Sequence, residues 1–379
     1  MMKSNLVHEL SLYGMASDPI YVGTGGYTIG RVDNTIVRDP ITKTPKIPGS
    51  TLAGVWRYYT VLKILAEIKK EQPTIEDLKK LEGKTLSEKI AKFAEEKECF
   101  RTSGENCREN SWKYFVGNIL TSVNCAGQDE APYMNTDEIL VDGKNEGGSK
   151  RGHCGHCIVC KGFGFSKKDL SWQGMIFFSD LTILFFPVFT RWGTRWITTG
   201  EILQDAGFLA SKNSPPATSC FVLGKWENQS KSGAINLGWL YLPFTCKEEI
   251  EEELNQNLKK VSGLPFTAEE IVIVPEGLFS QIVNSNLEVR TSVSINPITG
   301  AAKEGALFTS EAVPRGTVFR GNIRIFDKQC FAGLQEKIAP LPSYGDLEKA
   351  LKEAGEFFNI LGIGGMTTRG FGRLKIAFG

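Results

Sequence analysis

The sequence predicts an α+β fold, a ferredoxin-like sandwich in which strand-like and helix-like segments alternate along 379 residues. Three observations carry that reading. From Thr51 to Lys69 the apolar residues Leu52, Val55, Tyr59, Leu62, Ile64, Leu65 and Ile68 recur mostly at spacings of three and four, the period of an amphipathic helix. Leu287 to Ile325 alternates β-branched residues with glycines, which reads as a long hairpin and a further strand. Tyr344 to Leu361 is again amphipathic and leads through the glycine-rich Gly362 to Gly372 into a terminal strand, Arg373 to Phe378. Such interleaving argues against an all-α or all-β architecture.

Taken in order, Leu6 to Ser17 suits a strand, and Gly23, Gly25, Gly26 and Gly30 then break regular structure. Ser50 is placed to cap the first helix. Between Glu71 and Lys150 the text changes: Lys and Glu dominate as far as Glu98, and scattered Cys, Asn, Gly and Ser follow with weak periodicity. This predicts an insertion, residues 71–160, helical at first and looped later. Strand-like text returns at Gly174 to Phe189 and at Leu237 to Leu242, while Cys246 to Lys260 reads as a charged helix with Leu254 and Leu258 on one face. The core therefore spans 1–70 and 161–379, with the hairpin near 285–320.

Hydrophobic residues make up 41% and charged residues 23%, an ordinary globular composition. Lys and Arg number 44 against 43 Asp and Glu, so a formal charge of +1 supplies no global basic field. Any nucleic-acid site must be a local patch. The apolar runs around Met175 and from Leu181 to Phe189 fall short of the roughly 20 residues of a membrane span, so no membrane partner is expected. Met1 to Gly14 lacks the apolar stretch of a secretory signal, and a cytoplasmic location is the expectation.

Two loops have the form that grips phosphates. In Ile47 to Arg57, free N–H groups at a helix N-terminus can bind an anion, the Ser50 and Thr51 hydroxyls add donors, and Arg57 lies about two turns along the helix. A capped helix after a proline turn explains the same residues. In Gly362 to Arg373, glycines including Gly364 and Gly365 allow close backbone approach, Arg369 and Arg373 bracket it, and Phe371 can stack on a base. A tight turn packed on its own sheet is the alternative.

Of nine cysteines, Cys154, Cys157 and Cys160 sit within one loop beside His153 and His156, a spacing that reads as structural zinc. His156 is taken as fourth ligand, with His153, Cys125, Cys107 and Cys99 as alternatives. Asp33 lies in a loop between Arg31 and Arg38, both candidate RNA contacts, where a carboxylate can hold a metal or steer a ribose hydroxyl, or simply form a turn. Only three histidines are present, His8, His153 and His156, which argues against a histidine acid–base pair.

In family order, IGRVDNTIVRDPITKTPKIPGSTLAGVWR, HCGHCIVCKGFGF, FFSDLTILFFPVFTRWGTRWIT, VRTSVSINPITGAAKEGALFTSEAVPRGTVFRG and IGGMTTRGFGRLKI resemble motifs of the repeat-associated mystery protein (RAMP) superfamily, specifically backbone subunits of type III CRISPR effectors. The resemblance implies a ferredoxin-like, RNA-recognition-motif core with a zinc-held insertion and a protruding thumb hairpin. It implies guide RNA, complementary target RNA and other effector subunits as partners. Asp33 matches the position that cuts target RNA in active members, with a divalent metal such as magnesium, and guide pairing would read the sequence. A non-cleaving structural subunit and a guide-precursor endoribonuclease are the alternatives. Ala53 stands where the family often has lysine, Thr35 where proline is common, and Ile295-Asn296-Pro297 where an acidic residue and arginine often occur, so the thumb is less basic.

Overall fold

A computed structural model describes residues 6–25, 32–70, 123–126, 153, 157–167, 170–223, 232–259, 261, 263–334 and 341–379. In chain order the strands and α-helices are β1 Val7–Ala16, β2 Lys46–Ile47, α1 Gly49–Lys70, α2 Ile158–Phe163, β3 Phe165–Lys167, β4 Leu170–Trp172, β5 Ile176–Phe178, β6 Leu181–Thr190, β7 Gly193–Thr198, α3 Gly200–Asp205, β8 Cys220–Val222, β9 Ser232–Leu237, β10 Leu240–Cys246, α4 Glu251–Leu258, β11 Ile271–Ile273, α5 Glu276–Ser285, β12 Glu288–Ile295, β13 Ala302–Ala312, β14 Val318–Phe326, α6 Tyr344–Gly355, α7 Phe357–Ile360 and β15 Leu374–Phe378. Residues Met1–Glu9, Ala53–Phe178 and Ile323–Gly355 form one compact unit, here the helical unit. Leu10–Leu52, Ser179–Asn322 and Glu356–Gly379 form the other, the sheet unit. The division falls inside β1, α1 and β14, and most of the segment 71–160 lies outside the described residues.

The strand order is β15-β1-β14-β6-β7-β11-β8-β10-β9. β15 runs antiparallel to β1, and β14 antiparallel to β6. Gly316 N donates to Ala16 O at one end of β1 and Asp327 N to Leu6 O at the other, so β1 and β14 are antiparallel as well. Chain order β1, α1, β6, then β14, α6, β15 makes two split βαβ units, with the fourth, first, third and second strands side by side. That is the ferredoxin-like arrangement expected from the sequence.

Within the sheet unit the core gathers Phe185, Leu203, Phe208, Leu254, Phe266, Ile271 and Ile273. Phe266 stacks on Trp196 at 4.4 Å and meets Phe185 edge-on at 5.2 Å, the preferred geometries of aromatic pairs. Leu254 and Leu258, one helical turn apart on α4, are both buried, as their spacing predicts. The hairpin β12–β13 closes through the turn Asn296–Ala301, and Ile298 at its tip is 92% exposed.

In the helical unit, α6 buries Leu347, Ala350, Leu351 and Ala354, one face at helical spacing. A reciprocal cap starts it: Ser343 N donates to Asp346 Oδ2 at 3.1 Å and Asp346 N to Ser343 Oγ at 3.2 Å. Trp56 of α1 is fully buried and donates from Nε1 to Leu351 O at 3.0 Å. Truncating it to alanine would cost about 3–5 kcal/mol.

Several boundaries differ from the sequence reading. The strand predicted over Gly174 to Phe189 is two strands divided at Ser179-Asp180, where Asn322 N donates to Ser179 Oγ at 2.7 Å. Leu237 to Leu242, read as one strand, is the end of β9 and the start of β10 joined by the turn Gly238-Trp239, with Gly238 at φ +68. Cys246 ends β10 and α4 begins only at Glu251. Tyr344 to Leu361 is two helices. In each case a local tertiary contact or a turn overrides an apolar periodicity that looks continuous in the sequence.

Candidate functional site

In the sheet unit, two loops and the root of the β12–β13 hairpin meet. The C-terminal glycine loop lies on the segment after β1: Gly365 N donates to Tyr21 O at 2.9 Å and Gly372 N to Pro19 O at 2.9 Å. Gly364 has φ +83, and a Cβ there would stand 2.1 Å from Tyr21 O. No side chain fits, so the sequence needs glycine at this crossing. Arg373 is bidentate to Asp18, which raises its pKa, and its side chain is still half exposed. Arg369 is exposed and its side chain has no partner among the described residues. Phe371 corrects the sequence reading. It is 4% exposed, with the Arg290 guanidinium 4.6 Å from its ring centre, so it offers no face to a base. Arg290 also donates to Gly370 O at 3.1 Å, a tie no local signal announced.

Asp33 is exposed and fastened to β13. Thr309 N donates to Asp33 Oδ2 at 2.7 Å and Thr309 Oγ1 to the same oxygen at 3.0 Å. The Thr309 backbone N–H first, then its hydroxyl, hold the Asp33 carboxyl below its usual range, so it is ionised at neutral pH. The contact continues along the loop. Asn34 N donates to Thr309 O at 3.0 Å, Ile36 N to Glu311 Oε2 at 3.2 Å, and Arg38 pairs with Glu311 at 2.7 Å. Arg38 also donates to Asn284 Oδ1 at 2.8 Å. Arg31 lies outside the described residues.

At the start of α1, Gly49 N donates to Asp180 Oδ1 at 2.8 Å, and Asp180 Oδ2 pairs with Lys46 at 2.6 Å. Burial works against the charge of Asp180, but Lys46 and the Gly49 N–H outweigh it and lower its pKa. An internal carboxylate thus takes the first N–H of a helix end that, from sequence, is open to an external anion. Ser50 is exposed and Thr51 half-buried beside it. Asp39 is held down to about 2 by the Thr42 and Ile41 N–H groups, and it anchors a turn.

Within the helical unit, Cys125, Cys157 and Cys160 are buried with their sulfurs within 4.8 Å of one another. A tetrahedral zinc with sulfur at about 2.3 Å has edges of about 3.8 Å, so three thiolates this close fit such an ion. Cys157 caps α2, accepting from Cys160 N. Cys125 is one of the alternatives open in the sequence; Cys154 and His156 lie outside the described residues. Arg57, read from sequence as a phosphate contact, points into this cluster. It donates to Cys125 O at 2.5 Å, to Gly164 O at 2.7 Å, and lies 2.9 Å from His153 Nδ1. His8 stacks on Tyr344 at 3.9 Å.

No described helix is long and apolar enough to cross a membrane. Residues 16–375 match the family model of the RAMP superfamily. No curated protein matches the chain. Among solved structures, it is similar to a crystal structure of Cmr4 (16% identity, 98% of this chain and 99% of that one, TM-score 0.49). It is similar also to oligomeric Cmr4 from Pyrococcus furiosus (17%, 98% of each chain, 0.47). A third is a chain of the type III-B Cmr-beta complex bound to cognate target RNA (14%, 98% and 97%, 0.48).

Proposed function

Because this chain belongs to the RAMP superfamily, we propose that it is a guide-RNA-binding backbone subunit of a type III CRISPR effector, one that cuts guide-paired target RNA through Asp33. One observation carries the reading: an exposed, ionised carboxylate is fixed by Thr309 at the root of a hairpin whose tip is exposed. Such a hairpin can open a single step of a guide–target duplex, and a strained ribose then presents its 2′-oxygen in line with the neighbouring phosphorus. The 2′-oxygen bonds to phosphorus, the 5′-oxygen leaves, and the hydroxyl proton ends on the leaving oxygen. Asp33 accepts the 2′-hydroxyl's hydrogen bond and orients it; its low pKa suits orientation better than carrying the proton. A divalent metal such as magnesium, when bound, would neutralise charge on the phosphate.

Guide contact falls to Arg369 and Arg373, to the backbone at Gly364 and Gly365, and to Ser50 and Thr51, all in the sheet unit. The partners are guide RNA, target RNA and other effector subunits, working in the cytoplasm. Zinc, held by Cys125, Cys157, Cys160 and a fourth ligand from Cys154 or His156, would staple the helical unit.

The test uses assembled complex and labelled complementary RNA. Asp33→Ala should lose the cut facing this subunit by at least roughly 10²-fold while assembly and target binding persist. A cut still made at the wild-type rate, or none in the wild type, sinks the cleavage assignment. The second outcome favours a non-cleaving structural subunit. Asp33 Oδ2 already takes two hydrogen bonds from Thr309, which is what that reading would have the carboxylate do.

A further inference from the structure

We infer that Arg57 is the positioning residue of the cysteine cluster, a guanidinium clamp that holds the thiolate-bearing segments in metal-binding register. The inference rests on the zinc reading above. The three thiols come from two stretches of chain, a short turn at Val123–Ala126 and the start of α2. Each is too short to hold itself in place. Arg57 stands on a long helix and sends its donors to different segments. Nε bonds Cys125 O, beside the first sulfur, and Nη1 bonds Gly164 O at the C-terminal end of α2. Nη2 meets His153 Nδ1 at 2.9 Å and approaches Cys160 Sγ at 4.0 Å.

Three properties of the group suit the task. A guanidinium is planar and carries five N–H donors in a fixed fork, so one side chain can fix several acceptors at once. It stays charged, and zinc with three or four thiolates carries net negative charge that needs a buried counter-ion. It only donates, so His153 Nδ1 must accept, which places the ring's proton on Nε2. An Nε2 that carries a proton has no lone pair for zinc. His153 is therefore a support of the cluster, and the fourth ligand comes from elsewhere. Removing such outer partners typically weakens metal binding by about 10–100-fold.

The experiment uses full-length protein, with zinc content by mass spectrometry, zinc release to a chromogenic chelator, and circular dichroism as a check on folding. Arg57→Met should release zinc about 10–100-fold faster than wild type. Arg57→Lys keeps the charge but cannot bridge all the acceptors, and should fall between. Because Arg57→Met removes a charge from a packed region, the Lys variant carries the test if the Met variant does not fold. Guide binding supplies a second readout. Removing the charge in Arg57→Met would lower the salt slope by about one if Arg57 touched a phosphate, whereas a clamp inside the cluster leaves the slope unchanged. Wild-type protein without zinc overturns the metal reading and this inference with it. Wild type with zinc, and variants that release it at the wild-type rate, overturn the clamp alone.

Discussion

Glu311 joins the loop that carries Asp33 to the hairpin, and its removal has a magnitude that follows from geometry. Its carboxylate, 13% exposed, pairs with Arg38 at 2.7 Å, and Arg38 is 27% exposed. Breaking a fully buried pair from one side costs about 3–5 kcal/mol; with about a quarter of the Arg38 side chain in water, about 2 kcal/mol is a fair share. The same carboxylate accepts from Ile36 N at 3.2 Å, and orphaning that amide adds about 1 kcal/mol. Glu311→Ala should therefore lower the local opening free energy by about 3 kcal/mol, roughly a hundredfold in amide exchange. Glu311→Gln keeps an acceptor for Ile36 and loses only the charge pair, about 2 kcal/mol, roughly thirtyfold in exchange. Hydrogen–deuterium exchange across residues 32–38 and 309–312 measures both. Protection unchanged in both variants would refute the idea that Glu311 fastens the loop, and Asp33 would then be held by Thr309 alone.

Arg369→Ala should weaken guide binding for every guide sequence and lower the salt slope by about one, while Arg373→Ala should lower it less, because Asp18 already shares that charge. An unchanged slope for Arg369→Ala removes the C-terminal loop from the RNA path. The carboxylates set a pH window. Asp39 titrates at about 2, against an ordinary 3.8, so the order it gives the turn is complete above about pH 4 and is lost as pH falls through 2. Asp33 shifts in the same direction, and its hold on Thr309 should also outlast ordinary carboxylate protonation. Midpoints at or above 3.8 for the Thr42 and Thr309 amide signals on acid titration would contradict both.

The legible parts of the fold are those written in one stretch of chain. α1 and α6 announce themselves by period, the hairpin by alternation, and the glycine crossing at Gly364 by composition. What stays hidden is held by partners far along the chain. Asp180 caps α1 from 131 residues away, Thr309 grips Asp33 from 276, and Arg57 reaches partners 68, 96 and 107 residues on. A sequence shows that an arginine stands near a helix start; it does not show which carbonyls surround its side chain. Phe371 resembles a stacking platform for the same reason, since the residue that covers it, Arg290, belongs to a different element.

The pairing of the Asp33 loop with the hairpin has a mechanical consequence. Asp33, Asn34, Ile36 and Arg38 all bond residues 309–311, in sequence and on one strand. Those residues lie near the end of β13, at the hairpin's root. A force on the exposed tip is transmitted along two paired strands to that root, so the carboxylate cannot keep its place if the hairpin swings away. In the proposed reaction the element that opens the duplex and the element that faces the exposed phosphodiester therefore move as one body. Cutting then depends on the hairpin being seated. Substitutions at the tip, far from Asp33, should change the cleavage rate along with the seating of the duplex, and Glu311 is where the two effects can be uncoupled.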